Sequence, residues 1–342
     1  MSVTIQPFGA LDTASVRDYL VEQSNDSTAI IEWKYFDASF NQRRERGFAC
    51  VDKGRVCGAL GLIPFTALVN GAFLQSAWSC DWSCSSSLPG PLGIMLMKQS
   101  LRPYPLIYSL GGSTQTRSIM PKLAQSTVEG AGVELHKPLR LGGAIRALAS
   151  AGGIRIPKSL PLIDRFPLRF MGVDRAAPHP QISSDLRSAL APVLNQPARD
   201  DPSPAYDSAF IEWLLGRCPI ISSQACTIQG ESDAHFAILF WCQATDHRFW
   251  RIAVVGDIKS RPDVVRALRE VFRYIMKEGG WMVSILTSRL DTGLLSTLKG
   301  LGFIAAQRRP LYVLSTLPTM PALELRRLSY LDTDYAYRFS QL

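Results

Sequence analysis

The sequence is poor in the residues that announce metal or disulfide chemistry. It has four histidines in 342 residues, and none stands near a cysteine at zinc-ligand spacing. The seven cysteines (Cys50, Cys57, Cys80, Cys84, Cys218, Cys226 and Cys242) are odd in number and scattered, without a CxxC pair. That excludes a regular disulfide framework and a sequence-evident zinc site, and reads as buried thiols in a reducing compartment. The opening residues, Met1 to Ala10, lack a basic segment followed by an apolar one, so no secretory signal is expected and the expected location is cytoplasmic. Charged residues are also few, at 19%, but 46% apolar residues is ordinary globular composition and excludes a disordered chain. A chain of this length suits two domains, each with its own core.

One long stretch lacks charge altogether: there is no Asp, Glu, Lys or Arg between Arg55 and Asp81. It is long enough to cross a bilayer, but Pro64, the pair Asn70-Gly71 and Gln75 interrupt it. Asn-Gly between two apolar runs signals a hairpin, because both turn residues must take φ > 0. A hairpin is therefore expected there, and no membrane span. The net charge of +8, from 37 basic and 29 acidic residues, suits an anionic partner. Nucleic acid, an anionic membrane surface and a phosphorylated cofactor all fit that sign. Short basic runs such as Arg43-Arg44-Glu45-Arg46 read as solvated surface.

What is present is a succession of elements. Thr13 to Gln23 has the spacing of an amphipathic helix. Gly47 to Asp52, Arg55 to Val69 and Ala72 to Cys84 form three strands joined by Lys53-Gly54 and Asn70-Gly71, an antiparallel meander. A loop at Ser85 to Pro91 leads to a helix over Leu92 to Leu101, closed by Pro103. The strand Pro105 to Leu110, a helix from about Ser113 to Gln125 and the strand Val133 to Leu141 follow. A strand–helix–strand step implies a parallel crossover. Gly142 to Pro204, rich in Gly, Ala, Pro and Ser, reads as a linker with short helices such as Ser183 to Leu194.

The same order then recurs. Ser208-Ala209-Phe210-Ile211-Glu212-Trp213 answers Thr28-Ala29-Ile30-Ile31-Glu32-Trp33. Strands Phe236 to Gln243 and Trp250 to Ile258 stand where the meander stood. The helix Val264 to Lys277 and the strand Trp281 to Leu286 follow, and Leu294 to Gly300 matches the second helix. Arg309-Pro310-Leu311 answers Lys137-Pro138-Leu139. Each match alone is weak, but landmarks in one order with a slowly drifting offset indicate a tandem repeat. The expected division is 1–145 and 205–342 as modules, with 146–204 as linker.

Helix, meander, strand–helix–strand, helix and final strand is the element order of the GNAT-type N-acyltransferases, and the local wording is similar too. Arg55-Val56-Cys57-Gly58-Ala59-Leu60-Gly61 resembles that family's second strand, and Gly300-Leu301-Gly302-Phe303 resembles the segment before its last strands. The Glu-Trp near each half's start, with Tyr330-Leu331-Asp332-Thr333-Asp334 near the end, resembles bacterial two-module GNAT-like proteins of polysaccharide and cell-envelope gene sets. The resemblance implies an α/β fold with a mixed sheet, built as two tandem GNAT-like modules. It implies acetyl-CoA or another acyl-CoA as donor and a small-molecule amine as acceptor, such as an amino sugar or amino-acid derivative. A FemAB-like transferase using aminoacyl-tRNA, and a non-catalytic binding protein on decayed modules, are the alternatives. Free nucleic-acid binding lacks a clustered basic-aromatic patch.

In this family the pyrophosphate of the donor meets a helix N-terminus, and the thioester lies where two parallel strands part, polarised by a backbone N–H. On this sequence the resemblance places cofactor contacts at Ser83, Cys84, Gly90, Leu92, Gly93 and Ile94. The loop departs from the family pattern: no Arg or Gln leads it, and Pro89 and Pro91 remove N–H donors. Asp81 stands where the family often has its base, though an alternating strand would also turn it to solvent. Ser118, or Ser113, stands in for an absent acid tyrosine, with a cap or turn role as the other reading. Glu32 and Glu212, shared by both halves, suit a cap or salt bridge. A lone His136 suits a surface or edge position better than a base. Cys80 and Cys84, four apart on a strand, are expected to share a face. The second half has Lys259-Ser260-Arg261-Pro262-Asp263 and no glycine at the corresponding loop, which suits a structural or acceptor-binding role.

Overall fold

A computed structural model describes residues 3–24, 26–40, 44–69, 72–85, 91–142, 145, 180–194, 203–205, 207–227, 236–256, 258, 260–317, 325 and 328–332. The strands in chain order begin with β1 (Thr4–Pro7), β2 (Gly47–Asp52), β3 (Arg55–Val69), β4 (Ala72–Cys84), β5 (Leu106–Leu110) and β6 (Ser126–Pro138). They continue with β7 (Gln181–Ser183), β8 (Ser203–Ala205), β9 (Ile221–Thr227), β10 (Phe236–Gln243), β11 (Asp246–Gly256), β12 (Met282–Ser288) and β13 (Ile304–Ser315). The α-helices are α1 (Thr13–Ser24), α2 (Thr28–Ile31), α3 (Pro91–Ser100), α4 (Thr114–Leu123), α5 (Leu186–Leu194), α6 (Ser208–Ile211), α7 (Arg261–Lys277) and α8 (Thr292–Gly300). No helix among the described residues is long and apolar enough to cross a membrane.

The chain divides into two units. The first comprises Met1–Glu129, Asp200–Tyr206 and Pro310–Leu325. Its sheet runs β1-β2-β3-β4-β5 and ends on the last residues of β13, with β4 and β5 parallel and the other neighbours antiparallel. Lys53 and Gly54 take φ of 49° and 78°, the left-handed turn that joins β2 to β3. β3 and β4 pair down to Val69↔Ala72, the hairpin expected from Asn70-Gly71; the two turn residues lie outside the described ones. Pro64 is tolerated inside β3 because it falls between the end of β2 pairing at Gly61 and the start of β8 pairing at Thr66. One face of this sheet buries Leu60, Leu62, Ala77, Ile107 and Tyr312 against Leu92 and Leu96 of α3 and Met120 of α4.

The second unit comprises Gly130–Arg199, Asp207–Arg309 and Arg326–Leu342. Its sheet runs β7-β9-β10-β11-β12-β6, with β11 and β12 parallel and Gly132–Pro138 of β6 antiparallel to β12. α7 and α8 cover one face, where Leu268, Phe272 and Leu298 meet Phe240, Ile252 and Ile285. Ser260 caps α7 by accepting from the Asp263 N–H. Pro262 is therefore the second helical residue, a first-turn position where an N–H would have no helical partner, so its missing donor costs nothing.

The two units share the order of their main helices and strands, β8 of the first having no counterpart in the second. α1 and α5 each open on an aspartate: Asp12 accepts from the Ser15 N–H at 3.0 Å and Asp185 from the Ser188 N–H at 3.1 Å. α2 and α6 each run into a wide π-helical turn, Glu32–Phe36 and Glu212–Gly216, capped by Ser27 and Asp207. Glu32 pairs with Arg17 at 3.1 Å, and Glu212 with Arg187 at 2.7 Å. Glu32 and Glu212 each tie the turn to the preceding helix, the salt-bridge role expected of them.

Candidate functional site

The first unit departs from regular backbone on β4. Gly61 faces Cys80 and Ala59 faces Ser83, so β4 carries one residue more than β3 across this span, a β-bulge at Asp81. Asp81 takes φ of 47°, a conformation that non-glycine residues adopt rarely. The extra residue turns Cys80 and Asp81 to the same side and inverts the alternation beyond. Ala77 packs in the α3 core before the bulge, and Trp82 and Cys84 pack there after it. Cys80 and Cys84 therefore lie on opposite faces, contrary to the simple strand period. Parallel pairing of β4 with β5 stops at Trp78↔Tyr108, while β4 runs on to Cys84. The bulge thus sits just past the point where the two parallel strands part.

Asp81 is not turned to solvent. Its side chain is 2% exposed and meets the Lys34 ammonium, 0% exposed, at 2.6 Å. The Tyr35 hydroxyl donates to the same oxygen, Oδ2, and lies 3.2 Å from the Cys80 sulfur. Lys34 and Tyr35 are successive residues of the π turn, so two backbone irregularities converge on one carboxylate. Gly61 makes the room: a Cβ there would stand 2.0 Å from the Tyr35 hydroxyl oxygen. Arg46 donates to the Lys34 carbonyl and stacks 4.9 Å from the Phe40 ring; burial pulls its pKa down to about 10.

The remaining sequence candidates fall around this group or away from it. Ser83 follows the bulge, its hydroxyl 3.5 Å from that of Tyr19. Cys84 ends β4 beside Cys50, the two thiols flanking Gly58. Their hydrogen bond pushes the Cys50 thiol up and holds Cys84 down. Gly90 lies outside the described residues. Leu92 and Gly93 occupy the first turn of α3, where backbone N–H groups have no preceding helical carbonyl. The Leu92 side chain is buried, Ile94 is half-buried, and a Cβ on Gly93 would come within 3.2 Å of the Trp82 indole nitrogen. Ser118 is exposed on α4, donating to the Gln115 carbonyl at 2.8 Å, and makes no contact with Asp81 among the described residues. Ser113 is the N-cap of α4, accepting from the Thr116 N–H.

In the second unit the corresponding positions are apolar. Its π turn carries Leu214 and Leu215 where the first has Lys34 and Tyr35, and β11 pairs with β10 without a bulge from Trp250 to Gly256. This unit has a different buried polar group. Glu134 receives Arg309 at 2.6 Å and the Tyr330 hydroxyl at 2.7 Å, while Arg251 lies 4.6 Å over the Tyr330 ring. Burial works to raise the Glu134 pKa, but Arg309, His136 and Tyr330 together hold it below the usual value. His136 belongs to the same face and is buried, not at a surface or edge. Burial pushes its pKa down, Glu134 opposes that, and Arg251 and Arg309 add to it. Among the described residues no group of histidine, cysteine and acidic side chains could hold a metal ion.

Sequence reasoning singled out Asp81 but missed Lys34 and Tyr35. A signal was available in the repeat itself: Ile211-Glu212-Trp213-Leu214-Leu215 aligns with Ile31-Glu32-Trp33-Lys34-Tyr35. A charge at a position whose counterpart is a buried leucine is a departure that the fold does not require.

No protein-family model and no curated protein sequence matches the chain. Solved structures do resemble it. A GCN5-related N-acetyltransferase from Anabaena variabilis aligns with a TM-score of 0.58 and 14% identity, covering 91% of this chain and 72% of that one. Saccharomyces cerevisiae N-myristoyltransferase with bound myristoyl-CoA aligns at 0.56 and 12%, over 96% and 84%. A probable N-acyltransferase from Enterococcus faecalis aligns at 0.53 and 10%, over 84% of this chain and 66% of that one. The fold is that of the GNAT proteins.

Proposed function

We propose that this protein moves an acyl group from an acyl-CoA to an amine, and that the first unit does the chemistry. The observation that carries the reading is the internal comparison. Two units share strand order, π turn and crossover, yet only the first buries a lysine, a tyrosine and an aspartate at a bulge beside parting parallel strands. Burying such a pair costs desolvation that apolar residues avoid, and the second unit shows that the fold stands without it. The group is there for a task.

The residues fit an acyl-CoA. Leu92 and Gly93 present first-turn N–H groups and the positive end of α3 to a pyrophosphate, and Gly93 keeps the helix close to Trp82. Acyl-CoA bound there supplies the acyl group as a thioester. Backbone N–H groups of β4 where it leaves β5 polarise the carbonyl. The Asp81 carboxylate takes one proton from the acceptor ammonium, and the freed amine attacks the thioester carbonyl. As the C–S bond breaks, the second nitrogen proton passes to the departing CoA thiolate, which leaves as the thiol. Lys34 and Tyr35 hold that carboxylate in place. The acceptor class is an amino sugar or amino-acid derivative, acetyl-CoA is the first donor to try, and the setting is cytoplasmic. We read the chain as a tandem duplication with modules 1–145 and 205–342, the second serving structure or acceptor binding.

Calorimetry with acetyl-CoA, then thiol release with a panel of amino sugars and amino acids, tests the reading. Binding of the donor with acceptor-dependent thiol release is expected, together with loss of release in Asp81→Asn. A wild-type protein that binds neither acetyl-CoA nor a longer acyl-CoA overturns it and leaves a binding protein on decayed modules.

A further inference from the structure

The indole of Trp78 is 1% exposed, and its Nε1–H has no hydrogen-bond partner among the described residues. Buried donors are rarely left so, because the unmade bond is costly. Trp250, the indole one strand position before Arg251 in the second unit, shows the usual outcome: its N–H donates to the His247 carbonyl at 2.7 Å. Trp78 is also fixed in orientation. Its ring stacks on Phe65 at 5.7 Å and tilts against Tyr108 at 5.2 Å, so the N–H cannot swing to find a partner cheaply.

The position is specific. Trp78↔Tyr108 is the last paired rung before β4 and β5 part. Register with β3 places Trp78 on the same face as Cys80 and Asp81, the face that bears the Lys34–Asp81–Tyr35 group. The third paired rung of the second unit is Arg251↔Ser284, where pairing continues one rung further to Ile252↔Ile285, and there the Tyr330 ring lies against Arg251 with its hydroxyl on Glu134. The second unit thus sets a tyrosine beside its rung. In the first unit no described residue accepts from the Trp78 N–H.

Resting on the acyltransferase reading, we infer that the Trp78 indole N–H donates a hydrogen bond to the carbonyl oxygen of the bound acyl group, with Phe65 and Tyr108 holding the indole for it. An aromatic wall of Phe65, Trp78 and Tyr108 beside the last rung before the strands part suits an acyl group, and the only polar atom an acyl group brings is that oxygen. Trp78 is then a binding residue that tells acyl-CoA from CoA.

The test uses the whole protein labelled at its seven tryptophan indoles, with the Trp78 signal assigned in the wild type through its sequence neighbours. Acetyl-CoA should move that indole proton downfield and CoA should not. Trp78→Phe, which keeps the ring wall, should weaken acetyl-CoA about tenfold and leave CoA affinity unchanged. A Trp78 signal unmoved by acetyl-CoA that binds, or moved equally by CoA, overturns the inference while the acyltransferase reading stands. If neither acetyl-CoA nor CoA binds the wild type, that reading fails and the inference falls with it. Should Trp78→Phe not fold, the wild-type spectra decide alone.

Discussion

At the scale of single residues, the Lys34–Asp81 pair separates stability from activity. Removing one partner of a buried ion pair costs about 3–5 kcal/mol, whereas neutralising both together is often close to harmless. Asp81→Asn is therefore expected to lower the melting temperature sharply, with the Lys34 ammonium kept buried beside a neutral amide. Lys34→Leu with Asp81→Asn, which borrows the leucine of Leu214, should recover most of that loss. Asparagine is the right partner because it tolerates φ of 47° better than an apolar residue would. Acyl transfer should stay down by about 100-fold or more in both variants, since the proton acceptor is gone. A double variant that regained turnover along with stability would make the pair structural. Gly61→Ala tests the same site from the other side. Its methyl would stand 2.0 Å from the Tyr35 hydroxyl, so turnover should fall by displacement of Tyr35 while the β2–β3 pairing persists. Thiol release and circular dichroism on one preparation would check both halves of that expectation.

At the scale of elements, β4 shows why part of the site was legible and part was not. Trp78, Cys80, Trp82 and Cys84 alternate with Ser79, Asp81, Ser83 and Ser85 as a regular half-buried strand would. Nothing in that run marks an inserted residue, so Asp81 reads as the polar face of an unbroken strand. The bulge is a tertiary solution, and it turns Asp81 inward to Lys34 and Tyr35. The meander was legible because Lys53-Gly54 and Asn70-Gly71 are turn-forming pairs set between apolar runs. β1 and β7 are short edge strands with no apolar run to betray them. β6 gives a prediction of its own. It carries His136 into a buried face with its pKa pushed below the usual 6.5, so the unfolded chain takes up that proton first as pH falls. Stability from this source is complete above about pH 6.5 and declines below it. Thermal melts from pH 7.5 to 5 should show the decline, and His136→Gln should flatten it. An unchanged slope in that variant would assign the acid sensitivity to other groups.

At the scale of the whole molecule, the recurring order of elements was legible in the sequence, but the unit to which each last strand belongs was not. Sequence order places each module's last strand with its own module. In the structure Gly130 to Pro138 of β6 belong to the second unit and pair with β12, and Leu311–Ser315 of β13 belong to the first and pair with β5. The two final strands share a Lys/Arg-Pro-Leu signature, so no local wording distinguishes one exchange partner from the other. The exchange has a measurable consequence. A fragment of residues 1–145 lacks Leu311, Tyr312 and Leu314, which are 0%, 2% and 3% exposed. Each buried side chain of this size contributes about 1.5–3 kcal/mol, and together they approach the about 5–15 kcal/mol by which a domain is stable. Their absence also leaves the outer edge of β5 unpaired along Leu106–Leu110, an exposed apolar edge prone to association. The fragment should therefore fail to give a cooperative melt or dispersed amide spectrum alone. Produced together with residues 146–342, it should yield a soluble complex with the cooperative melt of the intact chain. A fragment 1–145 that folds cooperatively by itself would show that β13 decorates the first unit without completing it.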